Sequence, residues 1–236
     1  LTEVKCLSVI IIVSDLHLDD DPKRIDWLME IMDRHQPRAL FSLGDNGVEF
    51  DCEKFREEIL GRCKFYSIYG NHENMEWLST LQNFDGAPVL LRDAEVVKVG
   101  DLRLGFINGI VSLLRRSKKG VPRKRPKEFL KVARKLSGKI DVLCMHEFPA
   151  PDELLNYLTL HAPAYTAREA VQLAHPRVVF CGHIHYRKIE PRVYHIGFMK
   201  IIVIDSTEGY YALLHPKELL VEIKRNAEVV FSLKII

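Results

Sequence analysis

Short apolar runs alternate with helical patterns over the first third of the chain. Leu7–Val13, Ala39–Leu43 and Phe65–Tyr69 have strand length and are mostly apolar, the pattern of strands buried on both faces. Between them, Pro22–Arg34 repeats Ile25, Leu28, Met29 and Met32 at helical spacing. Cys52–Leu60 and Met75–Leu81 form two further helical stretches. Such alternation predicts a largely parallel sheet with helices packed on it.

From Val89 the texture changes. Glu95–Val99 and Leu102–Asn108 flank Gly100-Asp101, a hairpin signal. Pro126–Leu136 reads as a helix with proline at its start. Val142–Met145 and Val178–Cys181 return to the strand pattern, and Thr166–His175 between them reads as a helix. Thr166 is expected to cap that helix, with Glu169 completing a capping box. Met199–Asp205, Gly209–Leu214, Leu219–Lys224 and Val229–Ile235 predict closing strands. The expected fold class is α/β: two packed mixed β-sheets flanked by helices, in a single domain of residues 1–236.

With 236 residues, 47% of them hydrophobic, the chain can build a sizeable core. Its net charge of +2 hides an uneven distribution. Between Asn108 and Val142 lie Arg115, Arg116, Lys118, Lys119, Arg123, Lys124, Arg125 and further lysines and arginines, against only Glu128 and Asp141. This predicts a basic loop insertion at about 112–139. A cationic loop attracts a polyanion, although many charge runs are only solvated surface. Arg115, Arg116, Arg123, Lys124 and Arg125 are the candidate substrate-binding residues, with RNA or DNA as a candidate partner. The five cysteines form no C-x-x-C pair, and Cys6, Cys144 and Cys181 lie in apolar runs. An intracellular, cytoplasmic protein without structural disulfides is expected. No apolar stretch approaches the roughly 20 residues that span a bilayer.

The chemistry lies at five strand ends: Asp15-Leu16-His17, Gly44-Asp45-Asn46, Gly70-Asn71-His72-Glu73, Met145-His146-Glu147 and Gly182-His183-Ile184-His185. In open α/β sheets, sites form outside the carboxyl ends of the strands. Polar residues are common in loops, so a lone Gly-Asp carries little. All five segments in this order resemble the calcineurin-like metallophosphoesterase superfamily, whose fold is a four-layer αββα sandwich.

That resemblance implies a dinuclear metal centre. Asp15, His17 and His185 would bind one ion; Asn71, His146 and His183 the other; Asp45 would bridge them. Two ions about 3.5–4 Å apart neutralise a phosphate and activate water, here as a bridging hydroxide. Imidazole with carboxylate suits Mn, then Fe, Zn or Ni. His72 would be catalytic, protonating the leaving oxygen, and Glu73 beside it could orient it. His35, His161, His175, His195 and His215 carry no expected role.

The basic segment adds a weaker resemblance to lariat-debranching phosphodiesterases, through Asn108-Gly109-Ile110, Lys119-Gly120 and His146-Glu147-Phe148-Pro149. Those enzymes commonly have Cys where this chain has Asp15. The longer G-D-x-x-D-R-G pattern of phosphoprotein phosphatases is absent, since Asn46-Gly47 follow Asp45. The expected function is a phosphodiesterase acting on nucleic acid or nucleotides. The alternatives are a phosphomonoesterase and a non-catalytic scaffold on the same fold.

Overall fold

A computed structural model describes residues 9–114, 117, 120–155 and 162–235. Arg115, Arg116, Lys118, Lys119, Cys6 and His161 lie outside the described residues. The strands of the first half are β1 (Ile10–Val13), β2 (Ala39–Ser42), β3 (Lys64–Ser67), β4 (Val96–Val99) and β5 (Leu102–Ile107). Those of the second half are β6 (Val142–Met145), β7 (Val178–Cys181), β8 (Tyr194–Ile196), β9 (Met199–Val203), β10 (Tyr210–His215), β11 (Leu220–Arg225) and β12 (Glu228–Lys234). The α-helices are α1 (Arg24–His35), α2 (Cys52–Phe55), α3 (Met75–Thr80), α4 (Pro126–Leu136) and α5 (Ala162–Ala174).

Two six-stranded mixed sheets result, ordered β12-β11-β10-β1-β2-β3 and β4-β5-β6-β7-β9-β8. In the first, β1, β2 and β3 run parallel, while β10 pairs antiparallel with β1. In the second, β5, β6, β7 and β9 run parallel. Ile12, Phe41, Phe106, Val142 and Phe180 belong to the apolar layer between the sheets. Phe41 and Phe106 stack there at 5.7 Å. The outer face of the first sheet is covered by α1, α2 and α3 through Ile25, Leu28, Phe55 and Leu78. The second sheet is covered by α4 and α5 through Phe129, Leu130, Ala167 and Val171. The continuous apolar spelling of β1, β6 and β7, and of β2 up to Ser42, follows, because each is buried on both faces.

Three expectations need revision. Helix α5 already includes Ala162, so Thr166 is internal and its Oγ1 donates back to Ala162 O at 3.3 Å. A threonine there back-bonds rather than caps. The stretch Cys52–Leu60 is one turn of α-helix continued by a π-helical turn, Arg56–Leu60. Strand β8 has no counterpart in the apolar pattern, because His195 lies exposed between buried Tyr194 and Ile196. Of the basic stretch, the described residues 120–125 lead into α4, whose proline start fits the N-terminal turn. Among the described residues, no helix is long and apolar enough to cross a membrane.

At the sheet edge away from the motifs, Asp141 fixes the β5–β6 register. Its carboxylate accepts from Arg103 N, Nε and Nη2, each at 3.0 Å, and its own N–H donates to Arg103 O at 2.9 Å. Hydrogen bonding from the Arg103 side chain outweighs burial and holds this carboxyl below its usual value. A depressed folded pKa gives stability that is present above the unfolded pKa and lost as pH falls through the folded one. Asp141→Asn is therefore expected to lower the thermal midpoint at pH 7. The gap to the parent protein should narrow below the ordinary carboxyl value of 3.8. Thermal melts across pH check this, and a gap independent of pH would remove the charge from the account.

Candidate metal centre

The C-terminal ends of β1, β2, β3, β6 and β7 converge where the two sheets meet. Asp15, His17 and His185 bring ligand atoms within 4.8 Å of one another, and Asp45, His146 and His183 do the same in a second group. Asp45 Oδ2 lies 3.8 Å from His17 Nε2 in one group and 3.3 Å from His146 Nε2 in the other. The Asp45 carboxylate thus faces both. Asp45 Oδ1 accepts the backbone N–H groups of Asn71 at 2.5 Å and His72 at 2.7 Å.

The local backbone explains the spelling of the motifs. Asp15, His17, Asp45 and His183 all have positive φ, between 41° and 68°, in the left-handed region where non-glycine residues are uncommon. Such turns lift the side chains off the strand ends. Asp15 and Asp45 are 1% and 2% exposed. Two glycines leave them room: a Cβ on Gly70 would lie 2.1 Å from Asp45 Oδ1, and one on Gly182 would lie 2.3 Å from Asp15 Oδ2.

Supporting contacts orient the imidazoles. His146 Nδ1 donates to Leu43 O at 3.0 Å, which turns Nε2 toward Asp45. His185 Nδ1 donates to Asp205 Oδ1 at 3.2 Å. Asp205 is fully buried and also accepts from Tyr186 N and Thr207 Oγ1. Arg24 Nη1 donates to Leu16 O and His17 O, clamping the first turn. Motif spelling singled out neither Asp205 nor Arg24. Asp205 carries the same signal as the others, an acid after an apolar run, whereas Arg24 looks like any helix-surface cation.

The electrostatics describe a site short of positive charge. Burial opposes charge on Asp45, but neighbouring His146 outweighs it and holds the carboxyl well below its usual range. Burial likewise opposes a charged His146, yet Asp45 raises it to about 10. Burial raises Asp15 to about 6, and burial with His146 nearby lowers His183 to about 3. Asn71 Oδ1 and His146 Nε2 are buried without a hydrogen-bond partner, an arrangement that calls for explanation in a buried site. Unpaired oxygen and nitrogen acceptors beside two buried carboxylates fit a divalent cation.

His72 lies on the rim, its ring 5.3 Å from that of His17. Glu73 does not orient it. Its carboxyl turns beneath the site to Gly70 N and Asn46 Nδ2, and burial raises it to about 8. Buried Asn46 also binds Ser42 Oγ and Ser67 Oγ, so this position is structural.

The basic residues divide. Arg123 lines a cavity beside His183. Lys124 is turned inward, with Nζ on Asn108 O at 2.6 Å and Asp93 Oδ2 at 3.0 Å, so it is a structural cation rather than a surface for substrate. Arg125 is exposed at the start of α4. His35, His195 and His215 pair with Tyr211, Glu153 and Glu222, away from the centre.

Solved structures share the fold. A Thermus thermophilus protein is 11% identical, with a TM-score of 0.67 over 94% of this chain and 100% of that one. A dimetal phosphatase from Danio rerio is 10% identical, with a TM-score of 0.59 over 98% and 99%. An archaeal phosphodiesterase is 15% identical, with a TM-score of 0.52 over 94% and 99%. At these identities the likeness is one of fold. No curated protein sequence matches the chain. The sequence pattern of the calcineurin-like phosphoesterases matches residues 8–187, a span that takes in all five motifs, and the chain belongs to that family.

Proposed function

We propose that the chain hydrolyses phosphodiesters at a dinuclear centre of divalent ions. The reading rests above all on the Asp45 carboxylate, which faces one imidazole of each ligand group. Asp15, His17 and His185 would hold one ion, Asn71, His146 and His183 the other, and Asp45 both. Manganese is the first expectation, with Fe, Zn or Ni as substitutes for an imidazole–carboxylate set. Bound there, the ions would neutralise the phosphate and lower the pKa of a water.

The chain's own residues supply the rest. The backbone bond from His72 to Asp45 fixes His72 on the rim beside His17. From there its imidazole would protonate the departing alkoxide. On the other flank, beside His183, a cavity of about 850 Å³ is open to a second ester substituent. Room on that flank favours a diester over a monoester. Nucleic acid or a nucleotide is the substrate expected from the basic stretch, but of Arg123, Lys124 and Arg125 only Arg123 lines the cavity.

The test is a panel of Mn²⁺, Ni²⁺, Zn²⁺ and Mg²⁺ against a chromogenic monoester, a chromogenic diester and short RNA and DNA. His72→Ala is expected to keep its metal and lose about 10²–10⁴-fold in turnover; unchanged turnover would remove its role. Monoester cleavage alone would make the chain a phosphatase, and silence throughout would favour a scaffold.

Asp45→Asn is expected to lose metal and activity together, read by metal analysis beside the assay. Asp205→Asn should weaken metal binding by about 10–100-fold through the loosened His185. Calorimetric titration would read this as one weakened site and one retained; two unchanged sites would count against Asp205 as a positioning residue.

A further inference from the structure

The cavity beside His183 is not explained by metal binding. Its walls include Ile110, Val111, Leu113, Leu114, Phe148 and Ile184. Leu113 and Leu114 are 62% and 68% exposed. Adjacent exposed leucines continuous with an apolar cavity mark a binding surface, and about 850 Å³ is the size of a small-ligand pocket. Charge is confined to a few groups. Arg123 and Lys188 line it, and Arg123 Nε is buried without a hydrogen-bond partner. Glu147, also in the lining, already accepts from Val111 N at 2.8 Å. The cavity is thus apolar in body, cationic at the side, and continuous with the candidate centre through His183.

We propose that this cavity receives the second substituent of the diester and that the substituent is an aliphatic chain. The inference rests on the phosphodiesterase reading above. A nucleoside fits the walls poorly. Bases are held by stacking on aromatic faces, and the aromatic rings of the described lining are Phe148, 3% exposed, and His183, which is a candidate metal ligand. Branched aliphatic walls match a flexible hydrocarbon, while Arg123 and Lys188 meet the phosphate that carries it. In the reaction, water adds to phosphorus and the P–O bond to the other substituent breaks. That leaving oxygen takes a proton, and the chain departs as its alkyl phosphate.

The experiment uses 4-nitrophenyl alkyl phosphates from methyl to octyl with Mn²⁺. In parallel, n-alkylphosphonates of the same lengths are titrated calorimetrically with and without Mn²⁺. Each methylene is expected to raise kcat/KM and the phosphonate binding constant about fourfold until the cavity is filled. The heat-capacity change should grow more negative in step. The double variant Leu113→Ser, Leu114→Ser, at positions too exposed to matter for folding, should flatten both slopes. Flat series in the parent protein, with bis(4-nitrophenyl) phosphate still cleaved, overturn the inference and leave the diesterase reading standing. So does a dinucleotide cleaved better than the octyl ester. Length-dependent phosphonate binding without hydrolysis of any diester supports the chain pocket and overturns the diesterase reading instead. Unchanged slopes in the double variant overturn the placement of the chain along these leucines.

Discussion

The Asp45 carboxylate has a partner on every side, and the surrounding structure is arranged to allow it. One oxygen takes two backbone N–H groups from the loop after β3. The other faces an imidazole that follows β1 and an imidazole that follows β6. This needs the backbones of two motifs to touch. A Cβ on Gly44 would lie 2.4 Å from Gly70 N, and one on Gly70 would meet Asp45 Oδ1 and the His146 ring, so both positions need residues without side chains. Close backbone approach is a recurring reason for glycine. The glycines before Asp45 and Asn71 are therefore part of how the carboxylate is held.

The same rim joins the two sheets. Asp15, after β1, accepts His183 N from the turn after β7. His146, after β6, donates to Leu43 O after β2. Ser206 N donates to Ser14 O at 3.0 Å. Each link runs from one sheet to the other, so the sheets cannot slide without breaking the side-chain constellation. Rigid elements with buried, hydrogen-bonded support are what hold polar groups in place before a ligand arrives.

Much of this was legible in the sequence. Strands β1, β6 and β7 are apolar throughout and β2 is so up to Ser42, and each is followed by a distinctive polar segment, so position and chemistry could be read together. The rest depended on depth and distance, which spelling does not carry. Lys124 counts as one charge among many until the fold buries it against Asn108 and Asp93. Glu73 follows His72 in sequence, but the turn sends the two side chains apart. Thr166 and Glu169 spell a familiar cap, yet Thr166 lies inside α5 and its hydroxyl bonds back to Ala162 O. Asp205 matters only because β9 and β7 are neighbours, which no local pattern states.

Four non-glycine residues of the rim sit in left-handed backbone conformations, at a cost of about 1 kcal/mol or more each. Domains of this kind are stable by only about 5–15 kcal/mol in all. Replacing any of the four by glycine would relax the chain and erase a functional group. The strain therefore cannot be removed in this way without losing a candidate metal ligand. The twelve strands and their apolar layers must carry a surplus against it, and that surplus sets how many substitutions elsewhere the lineage can absorb.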